Sequence, residues 1–147
     1  MPGDGPIMAR FIAPICEWLL GVLQSAPMGE LEPFAEFHKS WTGVAMNWPP
    51  VAVMPRSSAF DPEITGVSHS ENLLTVKFGV NGPDPDQVAA DAMAYMAAID
   101  AAITAAPWPL DVKRVFVQQH DYGMLYERSG NFAKFPELHL LVEVYER

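Results

Sequence analysis

The sequence feature that most constrains the fold is an alternating apolar segment that runs directly into a capped helix. Within residues 73–80, every second residue from 74 to 80 is apolar. Side chains alternate between the two faces of a strand, so the segment 73–80 predicts a half-buried antiparallel strand. Residues 81–83 (asparagine, glycine and proline) are a turn signal. Asp84 is then placed to cap a helix, and Gln87 completes the pattern of a capping box. Strand and helix are therefore predicted to share one core.

Two helices are predicted from apolar residues spaced three and four apart. The second helix follows Asp84 and closes at Pro107, and its buried stripe is predicted to comprise Val88, Ala92, Met93, Tyr95, Met96, Ile99 and Ile103. Its many other alanines reflect either helix propensity or the close approach of another backbone. The first helix ends near residues 26–27, and its apolar face comprises Met8, Phe11 or Ile12, Ile15, Leu19, Val22 and Leu23. Pro14 either kinks this helix or lies in its first turn, because proline cannot donate a backbone hydrogen bond.

Further strands are predicted from shorter apolar runs. They cover residues 51–54, ended by Pro55, a weaker segment at 64–68, then 112–119 and 124–127. The last strand alternates most clearly, and its predicted core face comprises Leu138, Leu140, Val142 and Val144. The sequence thus predicts an α+β domain across residues 1–147, with a small, mainly antiparallel sheet of about four to five strands packed by two helices.

Two long aromatic loops are predicted, at residues 28–50 and 120–137. Large apolar side chains in loops need something to pack on, and aromatic residues are favoured anchors of protein interfaces. They either fold back over the sheet as a satellite cluster or fill pockets on neighbouring subunits. The candidate interface residues are Phe34, Phe37, Trp41, Trp48, Tyr122, Met124, Tyr126, Arg128, Phe132, Lys134 and Phe135. Residues 1–6 hold two prolines and two glycines and are expected to be flexible.

Composition excludes several classes of protein. The 147 residues contain one cysteine, Cys16, so neither a disulfide nor a cysteine-based zinc site can form within one chain. The formal net charge of -9 disfavours binding to duplex DNA. The apolar run at residues 7–23 is interrupted by Arg10, Pro14 and Glu17, which argues against a cleavable signal and a membrane span.

Catalytic, metal-binding and cofactor-binding patterns are not found in the sequence. The four histidines show no metal-ligand spacing on a common helix, and the close pairs His120 with Asp121 and Glu137 with His139 are interpreted as surface groups. Cys16 is interpreted as an inert core residue whose pKa is raised by the neighbouring Glu17. We expect no enzyme activity and no cofactor.

The order of the elements resembles the tail terminator and tail completion proteins of long-tailed bacteriophages. The likeness is carried most by residues 76–80 (VKFGV), 84–88 (DPDQV) and 94–99 (AYMAAI). It implies a small antiparallel sheet backed by two helices, assembled as a ring, expected to be a hexamer, at the neck of the virion after assembly in the host cytoplasm. The implied partners are further copies of the chain, the tail tube protein and the connector or head-completion proteins. DNA would pass through the lumen without specific binding.

Two alternatives use the same residues differently. A monomeric module would bind a protein or peptide with its aromatic loops. A small enzyme would use Glu137, His139 or His120, and this is the least favoured of the three hypotheses.

Overall fold

The structure is a computed structural model and describes residues 12–41, 45–61 and 68–146. Its two helices are α1 (Ile12–Ser25) and α2 (Pro85–Ala105). Its strands are β1 (Glu36–His38), β2 (Pro50–Phe60), β3 (Ser68–Phe78), β4 (Val80–Gly82), β5 (Val112–Asp121), β6 (Tyr126–Arg128), β7 (Asn131–Lys134) and β8 (Glu137–Glu146). The predicted α+β class is confirmed.

The strands form two sheets. The larger has five strands in the order β1-β2-β3-β8-β5, and the smaller has three in the order β4-β7-β6. All pairings are antiparallel except that of β1 with β2. The prediction of a mainly antiparallel sheet is therefore confirmed, whereas the second sheet was not predicted.

One face of the larger sheet packs against both helices and forms the core. The predicted core residues of β8, which are Leu138, Leu140, Val142 and Val144, are all buried. The predicted stripe of α2 is buried except for Met93, which is 56% exposed. At 3.6 residues per turn, Met93 lies about 100° around the helix from Ala92 and so leaves the buried face.

Pro14 lies in the first turn of α1 as the structure describes it, which begins at Ile12. The first turn tolerates proline because its amide groups have no partner within the helix. The core side of α1 comprises Ile15, Cys16, Leu19, Leu20 and Leu23. Met8, Phe11 and residues 1–6 lie outside the described residues.

Several predicted strand limits were wrong. β2 continues past Pro55, and its register with β3 is irregular between Pro55 and Ser57. Proline cannot donate a backbone hydrogen bond, and a bulge accommodates it because the regular hydrogen-bond pattern is interrupted there. The predicted strand at 73–80 begins earlier, at Ser68, and is divided at Gly79 into β3 and β4. The Gly79 amide donates instead to the carbonyl of Pro50, at 3.1 Å. Of the weak strand predicted at 64–68, residues 64–67 lie outside the described residues.

The predicted loop at 120–137 contains a hairpin, in which β7 pairs with β6. Ser129 and Gly130 join the two strands, with φ of 53° and 78°. Two consecutive residues with positive φ match the turn that fits the twist of a tight hairpin. The predicted loop at 28–50 likewise contains β1.

The N-terminus of α2 is capped, but not by a capping box. Asp84 Oδ1 accepts a hydrogen bond from the Asp86 amide at 3.0 Å, which confirms the predicted cap. Gln87 Nε2 donates instead to Asp91 Oδ1 at 2.8 Å, one turn along the helix, so the predicted reciprocal bond is wrong.

By length and composition alone, α2 could cross a membrane. Core helices of globular proteins pass the same test, and six residues of α2 are buried in the core. This property of α2 therefore carries little weight.

Candidate interaction surface

Phe135 is the centre of an aromatic cluster formed by Trp41, Trp48, Tyr126 and Phe135, called here the Phe135 cluster. The Phe135 ring lies 5.7 Å from Trp41, 5.9 Å from Trp48 and 5.8 Å from Tyr126, measured between centroids. These are ordinary distances for tilted and edge-to-face aromatic pairs. Four of the candidate interface residues therefore pack on one another within a single chain.

The Phe135 cluster is seated on the backbone at Gly79. A Cβ atom at this position would lie 2.7 Å from Trp48 Cζ3 and 3.4 Å from Phe135 Cδ1. Lys77 extends the contact, because its Nζ lies 5.3 Å from the centroid of the Trp41 ring. The absence of a side chain at residue 79 thus allows the Trp48 indole to approach the point where β3 ends.

Phe34 belongs to the core, so its prediction as an interface residue requires correction. It is 6% exposed, and its ring lies 5.2 Å from Tyr95 and 6.0 Å from Phe78. Phe37 and Phe132 are partly buried against the same core. The sequence could not reveal this, because it requires β1 to pair with β2 and return the segment over the sheet.

The segment around β1 is held by polar contacts as well. Tyr95 Oη donates to the carbonyl of Glu32 at 2.6 Å. Glu36 Oε2 accepts from the amides of Asn47, at 2.7 Å, and Met46, at 3.1 Å, while Glu36 Oε1 lies 2.9 Å from His38 Nε2. The hydrogen bond with His38 is the largest cause lowering the pKa of the Glu36 carboxyl, and the two amides add to it.

A run of exposed apolar side chains extends from the end of β5 to the first residue of β6 and is called here the apolar arm. It comprises Tyr122, Met124, Leu125 and Tyr126, which are 39%, 70%, 44% and 53% exposed. Gly123 has a φ of 72°, and its amide donates to Asp121 Oδ1 at 2.9 Å. This turn gives the arm a fixed start, and Tyr126 joins it to the Phe135 cluster.

The remaining candidates lie beside the arm. Arg128 is exposed at the end of β6, and Lys134 is partly buried at the end of β7. Leu125 was missed by the sequence prediction, although it lies within the predicted loop at 120–137. The structure thus brings Trp41, Trp48, Tyr126 and Phe135 together, whereas Phe132 packs on the core.

A second exposed apolar pair lies at the opposite end of β5 from the apolar arm. Trp108 and Leu110, which precede this strand, are 41% and 65% exposed. The apolar arm follows Asp121, the last residue of β5. A strand of 10 residues is about 33 Å long, so the two patches are separated by roughly that distance. The aromatic residue between Pro107 and Pro109 was the available sequence signal for this pair.

The histidines named from the sequence have structural partners. His120 Nε2 lies 2.7 Å from Asp100 Oδ2 on α2. His139 Nδ1 lies 3.0 Å from Thr75 Oγ1, and its Nε2 lies 3.4 Å from Glu137 Oε1. The His120 contact joins α2 to β5, and the contact of His139 with Thr75 joins β8 to β3.

Cys16 is buried, and burial is the larger cause raising the pKa of its thiol. The Glu17 carboxylate, named from the sequence, is the second cause. The Lys39 ammonium, which is ion-paired with Glu17, acts in the opposite direction.

The alanines of α2 line an apolar groove of about 720 Å³ shared with the end of α1. Its lining includes Trp18, Gly21 and Val22 on α1 and Ala98, Ala101 and Ala105 on α2. Small side chains let the two helices lie close together, but they offer few directional contacts to a ligand.

Comparison with known proteins gives no relative: no family model matches the chain, and no curated protein is detectably similar to it. The functional conclusion therefore depends on the surface.

Proposed function

We propose that the chain is a structural virion protein that forms a ring at the neck of a long-tailed bacteriophage, where it terminates the tail tube and joins the tail to the head. The observation that carries the proposal is the apolar arm, in which four large side chains within five residues are between 39% and 70% exposed. Monomeric proteins rarely expose such a contiguous apolar segment, which is typical of an interaction site.

Ring formation requires two different surfaces that fit each other, because a ring closes through head-to-tail contacts. The apolar arm and the pair Trp108 and Leu110 supply two such surfaces at opposite ends of β5. If the arm of one subunit packs on Trp108 and Leu110 of the next, both patches are covered in every subunit. A sixfold ring is the assembly that the resemblance implies.

The charge of the chain suits a channel for DNA. The formal net charge is -9 per chain, so a ring of several copies carries a strongly negative field. Such a field repels the phosphate backbone and lets DNA pass without adhering to the protein.

Electron microscopy and genetics test the proposal together. The purified protein is expected to give sixfold rings with a central opening. An early stop codon in the gene of the encoding phage is expected to give separate heads and tails, and supplying the protein from a plasmid is expected to restore joined particles. Joined, infectious particles without the protein would refute the proposal.

A monomeric protein- or peptide-binding module is the second candidate. It is favoured by the Phe135 cluster, whose rings pack on one another within one chain and would present the arm as a finished surface. A protein that remains monomeric at every concentration, and whose tryptophan fluorescence changes when phage tails are added, would favour this candidate over the ring.

A further inference from the structure

Two glutamates face each other across β3 and β8 on the side of the larger sheet opposite the helices. The register pairs Glu71 of β3 directly with Glu143 of β8. Like charges at directly opposite positions of neighbouring strands are unfavourable. The pair therefore calls for a positive charge between the two carboxylates.

His69 lies next to this pair with one ring nitrogen lacking a partner. Its Nδ1 is bonded to Asp61 Oδ2, and its ring stacks on Tyr145 with centroids 4.4 Å apart. Its Nε2 lies 3.9 Å from Glu143 Oε2, which is too long for a hydrogen bond. This nitrogen is buried and, within the part of the chain that the structure describes, has no hydrogen-bond partner.

The other groups around His69 are mostly acids. Asp61 contacts Nδ1 of the His69 ring, and the ligand atoms of Glu71, Glu143 and His69 all lie within 4.8 Å of one another. The site is thus negative on several sides.

A second histidine and glutamate on the same face, His139 and Glu137, already lie beside cationic side chains. His139 Nδ1 lies 3.3 Å from the Arg56 guanidinium, and Glu137 lies 3.3 Å from Lys77 Nζ. The basic residue opposite Glu143 is Arg114, whose guanidinium lies 5.0 Å from the centroid of the Phe116 ring. The group of His139 and Glu137 and the group of His69, Glu71 and Glu143 therefore contain the same residue types, but cationic side chains lie beside the first group.

We propose that His69, Glu71 and Glu143 bind a divalent transition-metal ion, with zinc as the best fit. Their ligand atoms lie within 4.8 Å of one another. Zinc bound to nitrogen and oxygen at about 2.0–2.2 Å needs ligand atoms about 3.4 Å apart. Small rotations of the Glu71 and Glu143 side chains would bring the three ligand atoms to this spacing.

Asp61 acts as a positioning residue in this site. Histidine ligands usually donate their second ring N–H to a carboxylate, which fixes the ring and directs the free nitrogen at the metal. The Nδ1 contact of His69 with Asp61 provides this arrangement and leaves Nε2 as the metal ligand. The bound ion would join β3 to β8 near the end of β2.

Metal binding is measured on the full-length protein after removal of metals by chelation. Titration with zinc chloride in a calorimeter is expected to give one ion per chain, and cobalt is expected to give the visible absorption of a bound ion. Glu143→Gln and Glu71→Gln are expected to abolish binding, and Asp61→Asn to weaken it about 10–100-fold. Magnesium chloride is expected to give no binding.

Glu137→Gln is the matched control, because Glu137 lies on the same strand and face beside a histidine that already has cationic neighbours. It is expected to bind zinc as the wild type does. Circular dichroism establishes that each variant is folded. Glu71→Gln is expected to disturb folding least, because the Glu71 side chain is exposed. Absence of zinc binding by the folded wild type, or equal losses in Glu137→Gln and Glu143→Gln, would overturn the proposal.

Discussion

Replacement of Gly79 by alanine tests how the Phe135 cluster is seated on the sheet. The added Cβ would lie 2.7 Å and 3.2 Å from two carbons of the Trp48 ring, whereas carbon atoms in contact are normally about 3.5–4.0 Å apart. The indole must therefore move by roughly 1 Å, and overpacking of this kind costs about 1–3 kcal/mol. Alanine also restricts the unfolded chain, which offsets about 0.4–1 kcal/mol. We expect Gly79→Ala to lower the free energy of unfolding by about 1–2 kcal/mol.

Gly21→Ala is the matched control, because the same atom is added in α1 with nothing within 4 Å of it. Alanine is favoured over glycine inside a helix by about 0.5–1 kcal/mol, so this variant is expected to be more stable than the wild type. Urea unfolding followed by tryptophan fluorescence measures both changes. A Gly79→Ala protein as stable as the wild type, with an unchanged fluorescence spectrum, would refute the close packing of Trp48 on residue 79.

Three further predictions concern the segment around β1. Phe34→Ala is expected to cost about 3–5 kcal/mol of unfolding free energy in urea, as for a core aromatic residue, and a cost under about 1 kcal/mol would contradict its place in the core. Burial is the largest cause raising the pKa of Tyr95 to about 12, and the charges of Glu32 and Asp91 add to it. The folded state therefore holds the tyrosine proton more tightly than the unfolded state, so stability is lost as the pH rises from about 10 to about 12, and Tyr95→Phe is expected to show a smaller loss in pH-dependent thermal unfolding. Glu36→Gln is expected to speed hydrogen exchange at the Asn47 amide, and unchanged exchange would argue against the role of the carboxylate in holding this loop.

Regular alternation and helix capping made the central elements predictable. Leu74, Val76 and Phe78 are buried as their alternation indicates, and Asp84 caps α2 because its side chain can accept a hydrogen bond from the first turn. These features depend on neighbours within a few residues in sequence. Local physical rules were therefore enough to predict them.

The missed features depend on pairing between distant segments. β7 is four residues long and gains its partners from β4 and β6. Phe34 becomes a core residue only when β1 pairs with β2. His69 and Glu143 are brought together by the register of β3 with β8, which the sequence does not contain in a local pattern.

In the proposed ring, two different apolar patches join neighbouring subunits. Two variants block one patch each: Met124→Asp on the arm, and Leu110→Asp on the opposite patch. Both side chains are largely exposed, at 70% and 65%, so neither change should disturb the core. The same charge placed at the exposed Gln24 of α1 serves as the control and is expected to leave assembly unchanged.

Light scattering coupled to size exclusion gives the decisive mass. We expect the wild type to have six times the mass of the 16.2 kDa chain and each patch variant to be monomeric. An equimolar mixture of the two variants is expected to form a complex of two chains, because one intact patch remains on each. A wild type that is monomeric at every concentration, or a Leu110→Asp variant that dimerises alone through its intact arm, would contradict the proposed ring.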